Sequence, residues 1–230
     1  MPSKLYLIPN QISSDQNHFY LPSEIAELRN FFVEEIKSSQ RLLKKVDPQF
    51  PISSCTFFML NEHEPAADIR KNFESCRDKD IGIIAEAGCP CVADPGADVV
   101  LLAHKEGREI IPCIGPSSIL LALMSSGLNG QNFAFVGYLP KEKENRISRL
   151  KLLEKRSALE KQTQIFMEAP YRNEKLFLEL LDYLDPQTLV CVASNLTASD
   201  QIIKTMPVKE WKKSKPALDK KPLLFLIQKI

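Results

Sequence analysis

The sequence predicts an α/β protein built as two α/β domains with mostly parallel sheets. Two observations predict it. Short apolar runs alternate with amphipathic segments along the whole chain, the pattern of βαβ units with right-handed crossovers. Two turns rich in Gly and Pro, Ala85–Gly96 and Gly115–Ser118, lie about one such unit apart. Separately, and bearing on partners rather than on fold, charge divides along the chain. Residues 1–140 carry 12 Lys+Arg against 17 Asp+Glu, and residues 141–230 carry 18 against 12. The boundary is placed near Ile114–Ser118, giving domains 1–114 and 115–230.

In the first half, Lys4–Ile8 reads as a strand. Ser23–Asn30 reads as a helix capped by Ser23. Phe31–Glu35 fits either a short strand or a continuation of that helix. Ile36–Val46 is an amphipathic helix, Cys55–Leu60 a strand and Ala66–Arg77 a helix. Ile81–Ala85, a helix after Pro95, and the strand Glu109–Ile114 complete a layer. In the second half, helix Ile119–Met124 stops at Ser125-Ser126-Gly127. Strand Phe133–Val136, the charged helix Lys143–Leu159, strand Gln164–Met167, helix Arg172–Leu184 and strand Leu189–Ala193 follow. Lys209–Lys221 is a basic loop or hairpin, and Leu223–Gln228 is the final strand.

Of 230 residues, 44% are hydrophobic, enough for a real core. The eight glycines form neither G-x-G-x-x-G nor a P-loop, which argues against an ordinary dinucleotide or nucleoside-triphosphate site. No apolar run reaches membrane-spanning length and no signal-peptide pattern opens the chain, so a soluble cytoplasmic protein is expected. The six cysteines sit mostly in apolar segments, as reduced buried thiols do. Cys89-x-Cys91 is too tight for a zinc pair, and no metal ligand set is expected.

The Gly/Pro turns are the first candidates for a small-molecule site, because such turns at the carboxyl ends of strands turn backbone N–H groups toward a ligand. Asp94 followed by Pro95 reads as a helix start. Glu86 and Glu168 each end an apolar strand and either face the ligand crevice or cap their turns. His104 reads as helical and His18 and His63 as loop residues, and no Ser-His-Asp set assembles. Asn61–Glu64 follows a strand and either edges a site or is a polar loop. Tyr138 either stacks on a base or ring or packs at the rim of the core. Arg172 either holds a carboxylate or phosphate in bidentate fashion or pairs with Glu168. The basic second half either meets a polyanion or is a solvated lysine-rich surface.

Several segments, in order, resemble one family. Ala85-Glu86-Ala87-Gly88-Cys89-Pro90 through Asp94-Pro95-Gly96 resembles S-D-A-G-x-P-x-x-x-D-P-G. Gly115-Pro116-Ser117-Ser118 and Ala122–Leu128 resemble G-P-S/C-A and A-L-x-x-S-G-L. Phe133–Pro140 resembles F-x-F-x-G-F-L-P, and Phe166–Arg172 resembles Y-E-A-P-H-R. The chain is thereby similar to S-adenosylmethionine-dependent methyltransferases of the tetrapyrrole methylase fold. Within them it is most like the branch that methylates a cytidine ribose in the decoding region of small-subunit ribosomal RNA.

The edges depart from the pattern. The turn P-T-P-I-G-N is reduced to Pro9-Asn10-Gln11-Ile12-Ser13, without its Gly, and E-D-T-R to Glu34-Glu35-Ile36-Lys37. E-L-T-K becomes Asn195-Leu196-Thr197-Ala198, and K-G-E becomes Lys220-Lys221-Pro222. These changes bear on the acceptor side more than on the cofactor pocket.

The resemblance implies two tetrapyrrole-methylase-type domains with S-adenosylmethionine in the interdomain cleft, and a homodimer. It implies cofactor contacts at Pro9, Ala87, Gly88, Cys89, Pro90, Asp94, Pro95, Gly96, Gly115, Ser117, Ser118, Tyr138, Met167, Glu168, Leu196 and Pro222. The amino-acid end is expected at the turns Gly88–Pro90 and Asp94–Gly96. The adenine is expected near Ser117, Ser118, Met167 and Leu196, with Pro222 closing the pocket. Glu86 is the first candidate base, with Glu168 or Glu35 behind it. Lys141–Lys161 and Lys204–Lys221 are the candidate phosphate contacts. Three functions fit: a methyltransferase of a ribosomal RNA ribose 2′-hydroxyl in the small subunit, a methyltransferase of a corrin or porphyrin (tetrapyrrole) precursor, and a cofactor-binding relative without catalysis.

Overall fold

The computed structural model describes residues 3–15, 21–61, 65–214, 216, 218 and 220–230. Among these, the chain divides into two compact units, Met1–Ser117 and Ser118–Ile230.

The first unit is a five-stranded parallel sheet. Its strands are β1 (Lys4–Ile8), β2 (Asn30–Val33), β3 (Thr56–Met59), β4 (Ile81–Ile84) and β5 (Glu109–Pro112), in the order β3-β2-β4-β1-β5. Side chains alternate across the sheet with period two, and both faces are covered. Leu5, Phe32, Ile81 and Ile83 pack on one side against α2 (Ala66–Glu74) and α3 (Ala97–Lys105), through Ile69, Phe73, Val99 and Ala103. Tyr6, Ile8, Phe31, Val33 and Ile84 pack on the other against α1 (Ile36–Val46), through Leu42 and Leu43. Double-sided burial of β1, β2 and β4 is why these strands read as apolar runs.

Ser23–Asn30 is not a helix. A 3-10 turn occupies Ser23–Glu27, Pro22 rather than Ser23 precedes it, and Asn30 already belongs to β2. The buried Ile25 and Leu28 are three residues apart, which suits three residues per turn better than 3.6. The ambiguous stretch Phe31–Glu35 is strand up to Val33, and Glu35 then caps α1 by accepting from the N–H groups of Lys37 (2.9 Å) and Ser38 (2.5 Å).

The second unit holds β6 (Phe133–Tyr138), β7 (Thr163–Met167), β8 (Leu189–Ser194), β9 (Ile202–Pro207) and β10 (Leu223–Gln228), ordered β6-β7-β10-β8-β9. Only β6 and β7 are parallel, and the other three pairings are antiparallel. The expectation of a mostly parallel sheet fails here for two reasons. The connection between β8 and β9 is too short for a crossover helix, and the last strand inserts between β7 and β8. Strand β9 carries Lys204 and ends at Pro207, so it lacks the apolar run that marks the other strands.

Helices α5 (Lys143–Glu160) and α6 (Asn173–Tyr183) and the short α7 (Val208–Trp211) cover one face. Helix α4 (Ser118–Ser126) covers the other. The basic stretch expected as a loop therefore begins in a helix. Trp211 anchors it, buried and donating from Nε1 to the carbonyl of Val190 at 2.9 Å. No helix among the described residues is long and apolar enough to cross a membrane.

Candidate functional site

In the first unit the sequence-selected residues gather at the carboxyl ends of β1, β4 and β5. The loop that follows β4, 85–96, is tied to the residues after β1. Asn10 and Gly88 exchange backbone hydrogen bonds (2.9 and 3.0 Å), and buried Asn10 donates from Nδ2 to the carbonyls of Ala85 (3.2 Å) and Glu86 (3.1 Å). The Cys89 thiol lies 3.3 Å from the carbonyl of Pro116. Pro9 is buried against Gly115, where an added Cβ would stand 2.1 Å from the Pro9 ring. Pro9, Gly88, Cys89 and Gly115 thus form one packed group.

The loop stores backbone strain. Cys91 (φ 66°) and Ala93 (φ 60°) both adopt the left-handed conformation that non-glycine residues avoid, beside Gly88 at φ 74°. Asp94 holds this shape. A single oxygen, Oδ1, accepts from the N–H groups of Cys91 (2.7 Å) and Gly96 (2.8 Å). Asp94 is therefore not the helix cap, because α3 starts at Ala97 with Gly96 before it. The carboxyl closes the loop on itself.

This changes the expectation of bare amides. The N–H groups of Glu86, Gly88, Cys91 and Gly96 are all used within the protein. Those of Ala87, Cys89, Val92 and Ala93 donate to no group among the described residues. A carboxylate-bearing ligand would meet these four.

Beside the loop lies a cleft of about 530 Å³, lined by Glu34, Leu60, Asn61, Glu86, Ala93, Asp94 and Pro95. Glu86 is exposed there, and its backbone N–H donates to Oε2 of Glu34 at 2.9 Å. Burial, with Asp94 and Glu86 adding repulsion, pushes the Glu34 carboxyl above its ordinary range, against the opposing pull of that hydrogen bond. Burial likewise raises Asp94 despite its two N–H donors. Glu34 was not among the sequence candidates. It follows β2 as Glu86 follows β4, so the strand-end argument applied to Glu86 finds it too. Asn61 lines the cleft, while Glu62, His63 and Glu64 of the same loop lie outside the described residues, as does His18. His104 lies in α3.

The cysteines are free. Burial pushes the Cys91 thiol up to about 12, so it remains protonated at neutral pH and packs as an apolar group.

In the second unit, Ser118 opens α4, and Met167, Leu196 and Pro222 come together. Met167 ends β7 and packs in one apolar cluster with Leu196. The carbonyl of Pro222 accepts from Asn195 N–H at 2.9 Å. The loop after β8 also holds left-handed residues, Asn195 (φ 49°) and Thr197 (φ 69°). Tyr138 ends β6 opposite Met167, after a register irregularity and the left-handed Gly137. Glu168 does not face a crevice as a free base. It is buried, accepts from Ala169 N–H at 2.7 Å, and pairs with Arg172 at 2.5 Å. Of the two readings of Arg172, the pair with Glu168 is the one observed.

The sequence profile of the tetrapyrrole (corrin/porphyrin) methylases matches residues 26–212. The chain belongs to this family. Curated relatives include proteins named ribosomal RNA small subunit methyltransferase I. The one from Vibrio cholerae is 28% identical over 90% of this chain and 69% of its own length. Those from Pseudomonas aeruginosa and Halalkalibacterium halodurans are each 28% identical, over 77% and 87% of this chain. The chain spans only 60% and 65% of the length of those last two. Among solved structures, the methyltransferase CobJ matches at TM-score 0.59 and 17% identity, covering 98% of this chain and 92% of CobJ. The uroporphyrin-III-C-methyltransferase from Thermus thermophilus matches at TM-score 0.51 and 15% identity, covering 100% of this chain and 93% of its own. Both share the fold of this tetrapyrrole methylase family member.

Proposed function

We propose that this tetrapyrrole methylase family member is an S-adenosylmethionine-dependent methyltransferase acting on a ribose 2′-hydroxyl of small-subunit ribosomal RNA. This reading rests on a chain matched over most of its length by proteins of that name, which builds a strained, internally locked loop with four N–H groups that donate to no group among the described residues. Strain of this kind persists where the surroundings over-determine it, which is common at ligand sites.

The loop fits the amino-acid half of the cofactor. N–H groups at Ala87, Cys89, Val92 and Ala93, without an acceptor among the described residues, suit a carboxylate. Gly88 and the close approach of Gly115 to Pro9 give the loop its path. Met167, Leu196 and Pro222 are proposed contacts for the adenine. S-adenosylmethionine, when bound, supplies an electrophilic methyl on a good leaving group. The chain's own part is then to orient the acceptor, a contribution of roughly 7–11 kcal/mol in well-oriented systems, and to accept its proton.

Glu86 is the proposed proton acceptor. Its side chain is exposed in the cleft, whereas Glu168 is committed to Arg172 and Glu35 to the start of α1. Glu34 positions Glu86 through the backbone N–H. A homodimer and a cytoplasmic location belong to the same proposal. So do phosphate contacts from the basic stretches.

The test is transfer of a labelled methyl group from S-adenosylmethionine to unmodified small ribosomal subunits. A single labelled nucleotide that resists alkaline cleavage on its 3′ side is expected, since 2′-O-methylation blocks that cleavage. Label appearing only in a corrin or porphyrin precursor would assign the family's other substrate class. Label in neither, with cofactor bound, would point to a relative without catalysis.

A further inference from the structure

We propose that Tyr138 and Tyr171 form a stacking platform for unpaired nucleotides of the acceptor RNA, an assignment that rests on the RNA reading above. The two rings stand on adjacent turns. Strands β6 and β7 are parallel neighbours with Tyr138 opposite Met167, and Tyr171 lies in the turn that follows Met167. Both turns therefore leave the same end of the sheet. Tyr138 is 60% exposed and Tyr171 70%.

Both turns are rigid, and by the same device. After Tyr138, the carbonyls of Pro140 and Lys141 accept from Nη1 of Arg146 at 3.1 and 2.6 Å. The same buried guanidinium forms a two-pronged pair with Glu179 at 2.6 and 2.7 Å. After β7, buried Glu168 takes Ala169 N–H and the Arg172 guanidinium, and Arg172 in turn sits 5.4 Å from the centroid of the Tyr171 ring. An Arg–Glu pair, buried at Arg146–Glu179 and part-buried at Arg172–Glu168, thus braces the backbone of each turn. Stacking on pre-fixed rings avoids the ordering cost a mobile loop would carry.

The second turn also has unused hydrogen-bonding capacity. Arg172 Nε and Asn173 Oδ1 are buried with no hydrogen-bond partner among the described residues. Buried polar atoms are nearly always satisfied. The Arg172 guanidinium, partly exposed and over the Tyr171 ring, is the polar group nearest to a nucleotide stacked there. Lys143, Lys175, Glu174 and Asp182 around the Tyr171 cleft mix both signs of charge. The platform accordingly contributes through ring stacking more than through phosphate contact, and stacking accepts any base.

The experiment measures binding of a fluorescein-labelled single-stranded RNA and of purified small ribosomal subunits, at several salt concentrations, with S-adenosylmethionine affinity measured in parallel. Tyr171→Ala is expected to weaken RNA binding roughly tenfold and Tyr171→Phe to restore it, with Tyr138→Ala adding a comparable loss. The salt dependence should be unchanged, and cofactor affinity in Tyr171→Ala should match the wild type. Wild-type RNA affinity in both alanine variants would overturn the platform while leaving the RNA reading intact. An equal loss of cofactor affinity in Tyr171→Ala would reassign the ring to the cofactor and also overturn it. A wild-type protein that binds neither RNA nor subunits would overturn the RNA reading and the platform together.

Discussion

The loop after β4 and the loop after β8 share a backbone feature and hold it in opposite electrostatic settings. Each places two non-glycine residues in the left-handed region, Cys91 and Ala93 in the first, Asn195 and Thr197 in the second. Each uses an aspartate as a brace. Asp94 is desolvated and takes two backbone N–H groups, and burial raises its pKa. Asp200 is exposed, takes the side chains of Lys221 and Asn195, and those partners lower its pKa. The first brace is bound into the loop's backbone, and the second is a surface network that solvent screens. The more tightly held loop therefore belongs to the first unit, which is where the cofactor's amino-acid end is proposed.

The largest expected effect comes from the packing under the first loop. Gly115→Ala puts a methyl 2.1 Å from the Pro9 ring. A loss of about 3 kcal/mol of stability is expected by chemical denaturation. Gly107→Ala is a control for glycine replacement in open space, since an added Cβ there meets nothing within 4 Å although φ is 69°. Equal losses would show that the Pro9 contact is not the constraint.

Next are the two braces. Asp94→Ala leaves the Cys91 and Gly96 N–H groups without their acceptor, and a loss of about 2 kcal/mol is expected. Asp200→Ala should leave the melting midpoint nearly in place. Equal shifts would erase the distinction between the loops.

Acidity separates the braces by sign. The folded protein protonates Asp94 more readily than the unfolded chain does, so this group's contribution to stability grows as pH falls through its raised value toward the ordinary aspartate range. Asp200 has the opposite sign. Its contribution is present above the ordinary aspartate pKa and is lost as pH falls through the lowered folded value. Thermal melts of Asp94→Asn and Asp200→Asn against pH should therefore diverge from wild type in opposite directions.

The smallest effect is expected at Glu34. Glu34→Gln keeps an acceptor for the Glu86 N–H and should preserve stability, while shifting the acid limb of the methyl-transfer pH profile. An unchanged profile would remove Glu34 from the positioning of Glu86.

Much of the first unit was legible because its central strands β1, β2 and β4 are doubly buried and its helix Ile36–Val46 is strongly two-faced. The second sheet was less legible. Antiparallel pairing depends on the short β8–β9 connection and on where the last strand inserts, and neither appears in the periodicity of a single segment. At the candidate site, the Gly/Pro turns stood out from their residue types alone. What the residues did not reveal was satisfaction. Asp94 looked like a helix cap because Asp-Pro usually starts one, and only the folded loop shows its oxygen spent on Cys91 and Gly96. Glu168 looked like Glu86, a carboxylate at a strand end, until burial and Arg172 separated the two.

The most direct measurement of the central claim is calorimetric titration with S-adenosylmethionine of the wild-type protein and of Ala87→Asp. Ala87 is exposed and its N–H donates to no group among the described residues, so the variant adds a negative charge where the cofactor's carboxylate is proposed to sit. Micromolar binding by the wild type and loss of binding in a variant that melts normally are expected. No wild-type binding up to millimolar cofactor, or equal affinity in the two proteins, would contradict that claim.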